Sequence, residues 1–175
     1  RILAVTHVSP DGDALGSTLA FALAMRGLGK IAVMACQDAP NQRFRYLSNV
    51  GDFRQQVNGS FDLVVAIDCS DAQRMGDVYL PAQHGHLPIV VFDHHVTNTM
   101  FGAVNVVDPQ AASSAEIIYR LLRRMNLPIT PEIAAALLTG IVTDTLGFRT
   151  SNTSPNTLAA AVDLMSAGAS LPDQG

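Results

Sequence analysis

An α/β domain with a mostly parallel sheet flanked by helices is the fold class that this 175-residue sequence predicts. Five short apolar runs of strand length alternate with longer stretches of helical periodicity, the order of a parallel α/β sheet. The runs are continuous rather than alternating, as strands buried on both faces require. Carboxylates and imidazoles gather directly after three of them, where loops at the carboxyl ends of parallel strands line a ligand crevice.

Taken in order, the first run, ILAVT, covers residues 2–6, and a helical pattern follows at 14–26. A second run at 31–36 leads to a shorter helical stretch at 41–47. Runs at 61–68 and 88–92 and a weaker one at 103–107 complete the sheet. Helical patterns at 113–125, 131–146 and 154–167 close the domain. Thr130 is a candidate N-cap before Pro131 at a first helical position. Ser113 and Glu116 have the spacing of a capping box. One domain is expected over residues 1–168. Residues 169–175, small, polar and Pro/Gly-bearing, read as the start of a linker to a second domain. The opening on Arg1 rather than Met leads us to expect a preceding N-terminal piece.

Composition narrows the function. At 48% hydrophobic, the chain suffices for one substantial core. No apolar run reaches the length of a membrane span and no signal segment opens the chain. Two cysteines, Cys36 and Cys69, fit a reducing cytoplasm better than a disulfide framework. A net charge of −4 leaves no footprint for long duplex nucleic acid. Without Trp, and with 6% aromatic residues, there is no stacking platform for single strands. An anionic substrate would have to be drawn in by local cations, a role that bound metals would fill.

Four clusters of ionisable residues stand out: His7, Asp11 and Asp13 in HVSPDGD, Asp68 in AIDCSD, Asp93-His94-His95 in FDHH, and Asp144 in GIVTDTLGF. Taken singly, Asp13 could N-cap the helix at 14–26, Asp11-Gly12 could form an ordinary turn, and Asp68 could cap CSDAQ. The histidine pair has no turn propensity to explain it. Asp144 sits in AAALLTGIVTDTLGF, and an ionised Asp on an apolar helix is costly unless paired or metal-bound. Together the clusters read as a two-metal site. Gly12 is expected to permit a turn between two carboxylates that a Cβ would resist. A carboxylate standing alone at a strand end, as Asp68 does, can bridge two ions. Imidazole moves the preference from Mg²⁺ or Ca²⁺ towards Mn²⁺, Fe²⁺ or Zn²⁺, and abundant carboxylate without thiolate favours Mn²⁺ within that set. Arg74, Arg149 and Asn152-Thr153 follow site loops and are candidates to hold phosphate oxygens. His84 and His86 in AQHGHLP read as solvated, and Cys69 as a small packing residue.

HVSPDGDALGS, AIDCSD, FDHHVTN and GIVTDTLGF, in that order and spacing, resemble the four motifs of the DHH phosphoesterase family, nearest to its bacterial nano-RNase/pAp-phosphatase branch. The resemblance runs from Arg1 to about Ala167. It implies a DHH-type domain with a dinuclear manganese site. His7 and Asp11 would bind one ion, Asp13, His94 and Asp144 the other, and Asp68 would bridge them. Asp93 would orient the histidine pair, with His95 near the scissile phosphate and Asn98, Arg149, Asn152 and Thr153 near the substrate. TLGF stands where the family more often has TG and an aromatic. A glycine-rich, substrate-gripping second domain is expected beyond Gly175, and a homodimer is implied.

The expected function is metal-dependent hydrolysis of short oligonucleotides or 3′-phosphoadenosine 5′-phosphate by two-metal water activation, with Asp68, Asp93 and His95 as the catalytic residues. Rival activities are a cyclic-dinucleotide phosphodiesterase, a manganese pyrophosphatase and a single-strand exonuclease. A pyrophosphatase is expected to carry more basic residues near its site. A rival of another class is a nucleotide- and metal-binding regulatory module of a larger protein; the complete ligand set argues against it.

Overall fold

A computed structural model describes residues 1–171. Five strands, β1 (Ile2–Val5), β2 (Ala32–Ala35), β3 (Leu63–Ile67), β4 (Ile89–Asp93) and β5 (Val104–Val107), form one sheet in the order β2-β1-β3-β4-β5. Every pairing is parallel. Four strands fall inside their expected runs and β4 extends one residue past its run, to Asp93; both faces of the central strands are buried, while edge strand β5 is partly exposed. Leu3, Val5, Val64 and Ala66 enter one core, while Ala4, Val65 and Ile67 enter the other.

The two faces are covered differently. Helices α1 (Gly12–Gly27) and α3 (Ser114–Arg124) pack on one face, α4 (Pro131–Asp144) packs against both of them, and α5 (Pro155–Ser166) packs against α4. The opposite face is closed by Phe61 and by Met75 and Val78 of a 3₁₀ segment, Ala72–Val78. The short helix α2 (Pro81–His84) follows that segment. The expected helix at 41–47 shrinks to a single 3₁₀ turn, Gln42–Phe44, capped by the Asn41 side chain and anchored by buried Phe44. His84, expected in solvent, is buried: its Nδ1 accepts the Leu80 N–H, and its ring packs against Phe61 and Tyr79.

Helix ends follow local chemistry. Asp11, not Asp13, caps α1, accepting the Ala14 N–H at 3.0 Å. Thr130 caps α4 with Pro131 at its first turn, and Ser154 and Thr157 form a capping box on α5. Ser113 caps α3 through the Glu116 N–H, but the reciprocal half of the expected box is absent. Glu116 instead accepts from the Ala112 N–H and the Thr157 hydroxyl. α4 stops at Asp144, two residues short of expectation. Leu146, Gly147 and Phe148 follow with φ of +50°, +71° and +65°, a left-handed run that cannot continue a helix.

The α1–α4 contact depends on missing side chains. A Cβ on Gly16 would overlap the Ala136 carbonyl, and one on Gly12 would overlap Thr143. Gly12 is thus required for a close approach between helices, not for the turn expected of it.

Strand order decides where a site can form. β1 leads through α1 to β2 on one side of itself, while β3 lies on the other side. The crevice of such a sheet opens between the carboxyl ends of β1 and β3. Thr6 fastens these two ends, its hydroxyl donating to the Ile67 carbonyl at 2.8 Å. Of the expected linker at residues 169–175, Ala169 is buried against the domain, and residues 172–175 lie outside the described residues.

Candidate metal centre

His7 follows β1, Asp68 follows β3, and Asp93 ends β4 with His94 and His95 directly after it. Asp11 and Asp13 flank the first residue of α1, and Asp144 is the last residue of α4. These elements converge at the β1–β3 crevice. His7, Asp11 and Asp68 offer ligand atoms within 4.8 Å of one another, as do Asp13, His94 and Asp144. Asp68, His94 and His95 form a third, overlapping group.

Asp68 lies between the first two groups. Its Oδ2 is 3.4 Å from His7 Nε2, and its Oδ1 is 3.7 Å from His94 Nε2. The backbone turns sharply there: Asp68 has φ +61°, a left-handed conformation that Asp tolerates better than most residues, and its N–H donates to the Phe92 carbonyl. In the first group, His7 Nδ1 lies 2.7 Å from the Val8 carbonyl, which can only accept, so Nδ1 carries a proton and Nε2 faces Asp11 and Asp68. In the second, His94 Nε2 is 3.3 Å from Asp144 Oδ2 and 3.8 Å from Asp13 Oδ2.

Electrostatics separate these residues. Burial, then the charges of Asp68 and Asp144, pushes the Asp13 carboxyl well above its ordinary value, against the opposing N–H groups of Ala115 and Ser114. Burial raises Asp144 to about 6; the histidines pull it down, while Asp68 and Asp11 push it further up. Asp68, buried as deeply, is nevertheless lowered, because hydrogen bonding to His7 and the three histidine charges outweigh its desolvation. His7 is pulled down by burial yet ends raised through Asp68. Among the described residues, every ion-pair contact of Asp11, Asp13, Asp68, Asp93 and Asp144 is to a histidine, none to Lys or Arg. Crowded carboxylates with imidazole nitrogens facing them are a donor set that a divalent cation fits.

His95 is oriented differently. Its Nδ1 lies 2.7 Å from Asp93 Oδ1, a hydrogen bond that raises the imidazole to about 9 against the effect of burial. Asp93, itself fully buried, accepts from the Asn98 amide at 2.6 Å, and the same amide reaches the Cys69 carbonyl. Asn98, expected at the substrate, is therefore committed to holding Asp93. Asp93 orients His95 rather than the pair, since no Asp93–His94 bond occurs among the described residues. Cys69 is buried, and burial pushes its thiol well up, in keeping with packing.

The remaining substrate candidates are scattered. Asn152 donates to the Ala112 carbonyl and accepts from Thr150, whose hydroxyl also meets Thr153. These bonds close the loop before α5. Arg74 is exposed in the 3₁₀ segment after β3. Arg149 lines an open cleft of about 440 Å³ beside the end of α4, together with Thr143, Tyr46 and Arg43.

Three contributors carried no sequence signal as site residues. The Ser114 hydroxyl donates to Asp68 Oδ1 at 2.8 Å, and the Ser114 and Ala115 N–H groups donate to the two oxygens of Asp13 at 2.7 and 2.8 Å. The start of α3 thus braces two of the clustered carboxylates. SSAE reads as a helix start from sequence, but nothing local says that the start faces Asp13. Arg43 was likewise hidden, since only folding brings it to the cleft of Arg149.

The family model described as "DHH family, N-terminal domain" matches residues 1–141. The chain is 36% identical, over 98% of its length and 52% of the relative's, to a bifunctional oligoribonuclease and PAP phosphatase NrnA of Thermus thermophilus. It is 28% identical, over its whole length and 58% of the relative's, to a probable manganese-dependent inorganic pyrophosphatase of Streptococcus mutans. A crystal structure of an exopolyphosphatase-related protein from Bacteroides fragilis superposes with a TM-score of 0.89 at 25% identity, covering 99% of this chain and 54% of that one. The chain spans about half the length of the curated relatives it matches.

Proposed function

The chain belongs to the DHH family, and from that premise we propose that it is the catalytic domain of a phosphoesterase that hydrolyses short oligonucleotides, 3′-phosphoadenosine 5′-phosphate, or both. One observation carries the reading: the two oxygens of Asp68 face different histidines, Oδ2 towards His7 and Oδ1 towards His94. A carboxylate divided in this way suits a bridge between two cations.

In this reading His7 and Asp11 would hold one divalent ion and Asp13, His94 and Asp144 the other, with Asp68 as the ligand available to both. Mn²⁺ is the proposed ion, supported by the mixed oxygen and imidazole donors. When bound, such a pair activates water at neutral pH and neutralises phosphate charge. The chain's own residues do the rest. Asp93 fixes the proton on His95 Nδ1, which leaves Nε2 free for the substrate side. The hydrogen bond of His95 to Asp93 favours the protonated imidazole, which can stabilise the charge developing on phosphate or protonate the leaving oxygen. Arg149 and its neighbour Arg43 are read as contacts for a further anionic group of the substrate. Asn98 acts through Asp93, and Asn152 and Thr153 shape the adjoining loop. Arg74 is the weakest of the substrate contacts.

Short substrates are favoured by the chain's negative charge and low aromatic content. The name of the Thermus thermophilus relative supports the same substrates. Among the described residues, no helix is long and apolar enough to cross a membrane; a cytoplasmic setting is part of the proposal. So are a second, substrate-gripping domain joined after about residue 168 and a homodimeric whole protein.

The test is a hydrolysis panel run on the full-length protein with Mn²⁺. It offers a linear diadenylate, 3′-phosphoadenosine 5′-phosphate, cyclic di-adenylate and pyrophosphate in parallel. The proposal expects turnover of the first two, abolished by Asp68→Ala. Preference for either of the last two would reassign the substrate. Binding without turnover of any would favour a regulatory module over an enzyme.

A further inference from the structure

We infer that Ser114 is a positioning residue of the paired site, its hydroxyl fixing the rotation of Asp68 so that each oxygen faces one group of ligands. This rests on the reading of Asp68 as the bridge. The torsion that turns a carboxylate about its own axis is broad and weakly held, so a divided carboxylate needs an external donor to stay divided. Ser114 is fully buried and donates to Asp68 Oδ1 at 2.8 Å. The other side-chain nitrogens near Asp68 belong to histidines: His7 and His94 through Nε2, and His95 through Nδ1. Once His7 and His94 give those lone pairs to cations, they cannot also donate to Asp68. His95 Nδ1 is already held by Asp93 at 2.7 Å. Among the described residues, Ser114 is then the side-chain donor left to hold the bridge.

The same residue ties the bridge to the second group of ligands. Its backbone N–H donates to Asp13 Oδ2, and that of Ala115 to Asp13 Oδ1. One turn of α3 therefore sets the orientation of Asp68 and Asp13 together. The hydroxyl is not needed to start the helix, because the cap is the preceding residue: Ser113 Oγ accepts the Glu116 N–H at 3.1 Å. Neighbouring serines thus separate two roles, Ser113 for the helix and Ser114 for the site.

That separation gives the test. The full-length protein, S114A, S114T and S113A are titrated with Mn²⁺ by calorimetry, and electron paramagnetic resonance reads whether the bound ions are spin-coupled. Melting temperatures are measured without metal. Wild type is expected to bind two coupled ions. S114A should weaken the second ion about 10- to 100-fold, the usual loss when an outer partner of a ligand is removed, and give the spectrum of isolated ions. S114T should restore the coupling, while S113A should lower the metal-free melting temperature and leave the ions coupled. If S114A does not fold, S114C, a weaker donor of similar size, carries the comparison and should bind the second ion with intermediate affinity. Two coupled ions at wild-type affinity in S114A or S114C overturn the inference, as does a variant pair in which S113A and S114A move both readouts alike. Fewer than two ions in wild type contradict the bridge itself, and the inference falls with it.

Discussion

His7 and Asp11 lie four residues apart in one loop after β1, whereas Asp13, His94 and Asp144 come together from α1, the end of β4 and the last turn of α4. The first group is open at one edge, with the Asp11 side chain 50% exposed. The second is more enclosed: Asp13 is wholly buried, with both of its oxygens already accepting N–H groups from α3, and the Asp144 side chain is 27% exposed. A site of one chemical composition thus has a half that one loop can assemble and a half that exists only after helices pack. The packed half carries the electrostatic strain, since Asp13 and Asp144 are the carboxyls that burial raises. Metal binding and apo stability should therefore pull in opposite directions there, and should be nearly independent in the other half.

The sharpest way to break this contrast is to neutralise one carboxylate in each half. Asp144→Asn should reduce activity by more than the roughly 10- to 100-fold that loss of an outer partner costs, yet raise the metal-free melting temperature by removing a disfavoured charge. Asp11→Asn should also lose metal affinity and activity, but leave that temperature almost unchanged, because Asn caps a helix about as well as Asp. Calorimetric melting beside activity measurements checks both. Equal stability changes would erase the distinction.

Gly140→Ala attacks the packing of the more enclosed half alone. Its Cβ would overlap Ala115 and the Asp13 carboxylate. Overpacking of this kind costs about 1–3 kcal/mol. Denaturant unfolding should register the loss, and Mn²⁺ titration should show the second ion weakened with the first retained.

Acidity gives a smaller effect with a fixed sign. A carboxyl raised in the folded state supports folding while protonated, and loses that support as pH climbs through its folded value, about 6 for Asp144. His95, raised to about 9, likewise loses its contribution as pH climbs towards that value. Asp68 is lowered, so its contribution is lost only in acid. Metal-free protein should melt at a lower temperature at about pH 8 than at about pH 5. Mn²⁺ should add more stability at the higher pH, because the ligands bind deprotonated. Melting curves with and without metal read both trends.

The smallest effect is expected outside both halves. Arg43→Ala combined with Arg149→Ala should raise KM by roughly tenfold with kcat little changed, the pattern for a contact made equally in ground and transition states. Steady-state kinetics on the full-length protein would show it, and Arg74→Ala should do less.

Much of this arrangement was legible in the chain because each strand is a continuous apolar run and most of the candidate ligands stand directly after one. Asp144 was legible for the opposite reason, a charge on an otherwise apolar helix. Hidden features all depend on residues distant in sequence. Asp13 looked like a cap for its own helix and instead braces against the start of α3, a hundred residues later. His84 lies in a polar-looking stretch, yet Phe61 and Tyr79 enclose it. Asn98 was expected to meet the substrate, but Asp93 takes its amide first. Local pattern brought out the carboxylates and histidines that cluster, while the residues that brace them were set by packing.

Anomalous diffraction from crystals grown with Mn²⁺ tests the central claim most directly. Two peaks are expected, one within bonding distance of His7, Asp11 and Asp68 and the other of Asp13, His94, Asp144 and Asp68. A single peak, or two that leave Asp68 without a metal contact, would contradict the account.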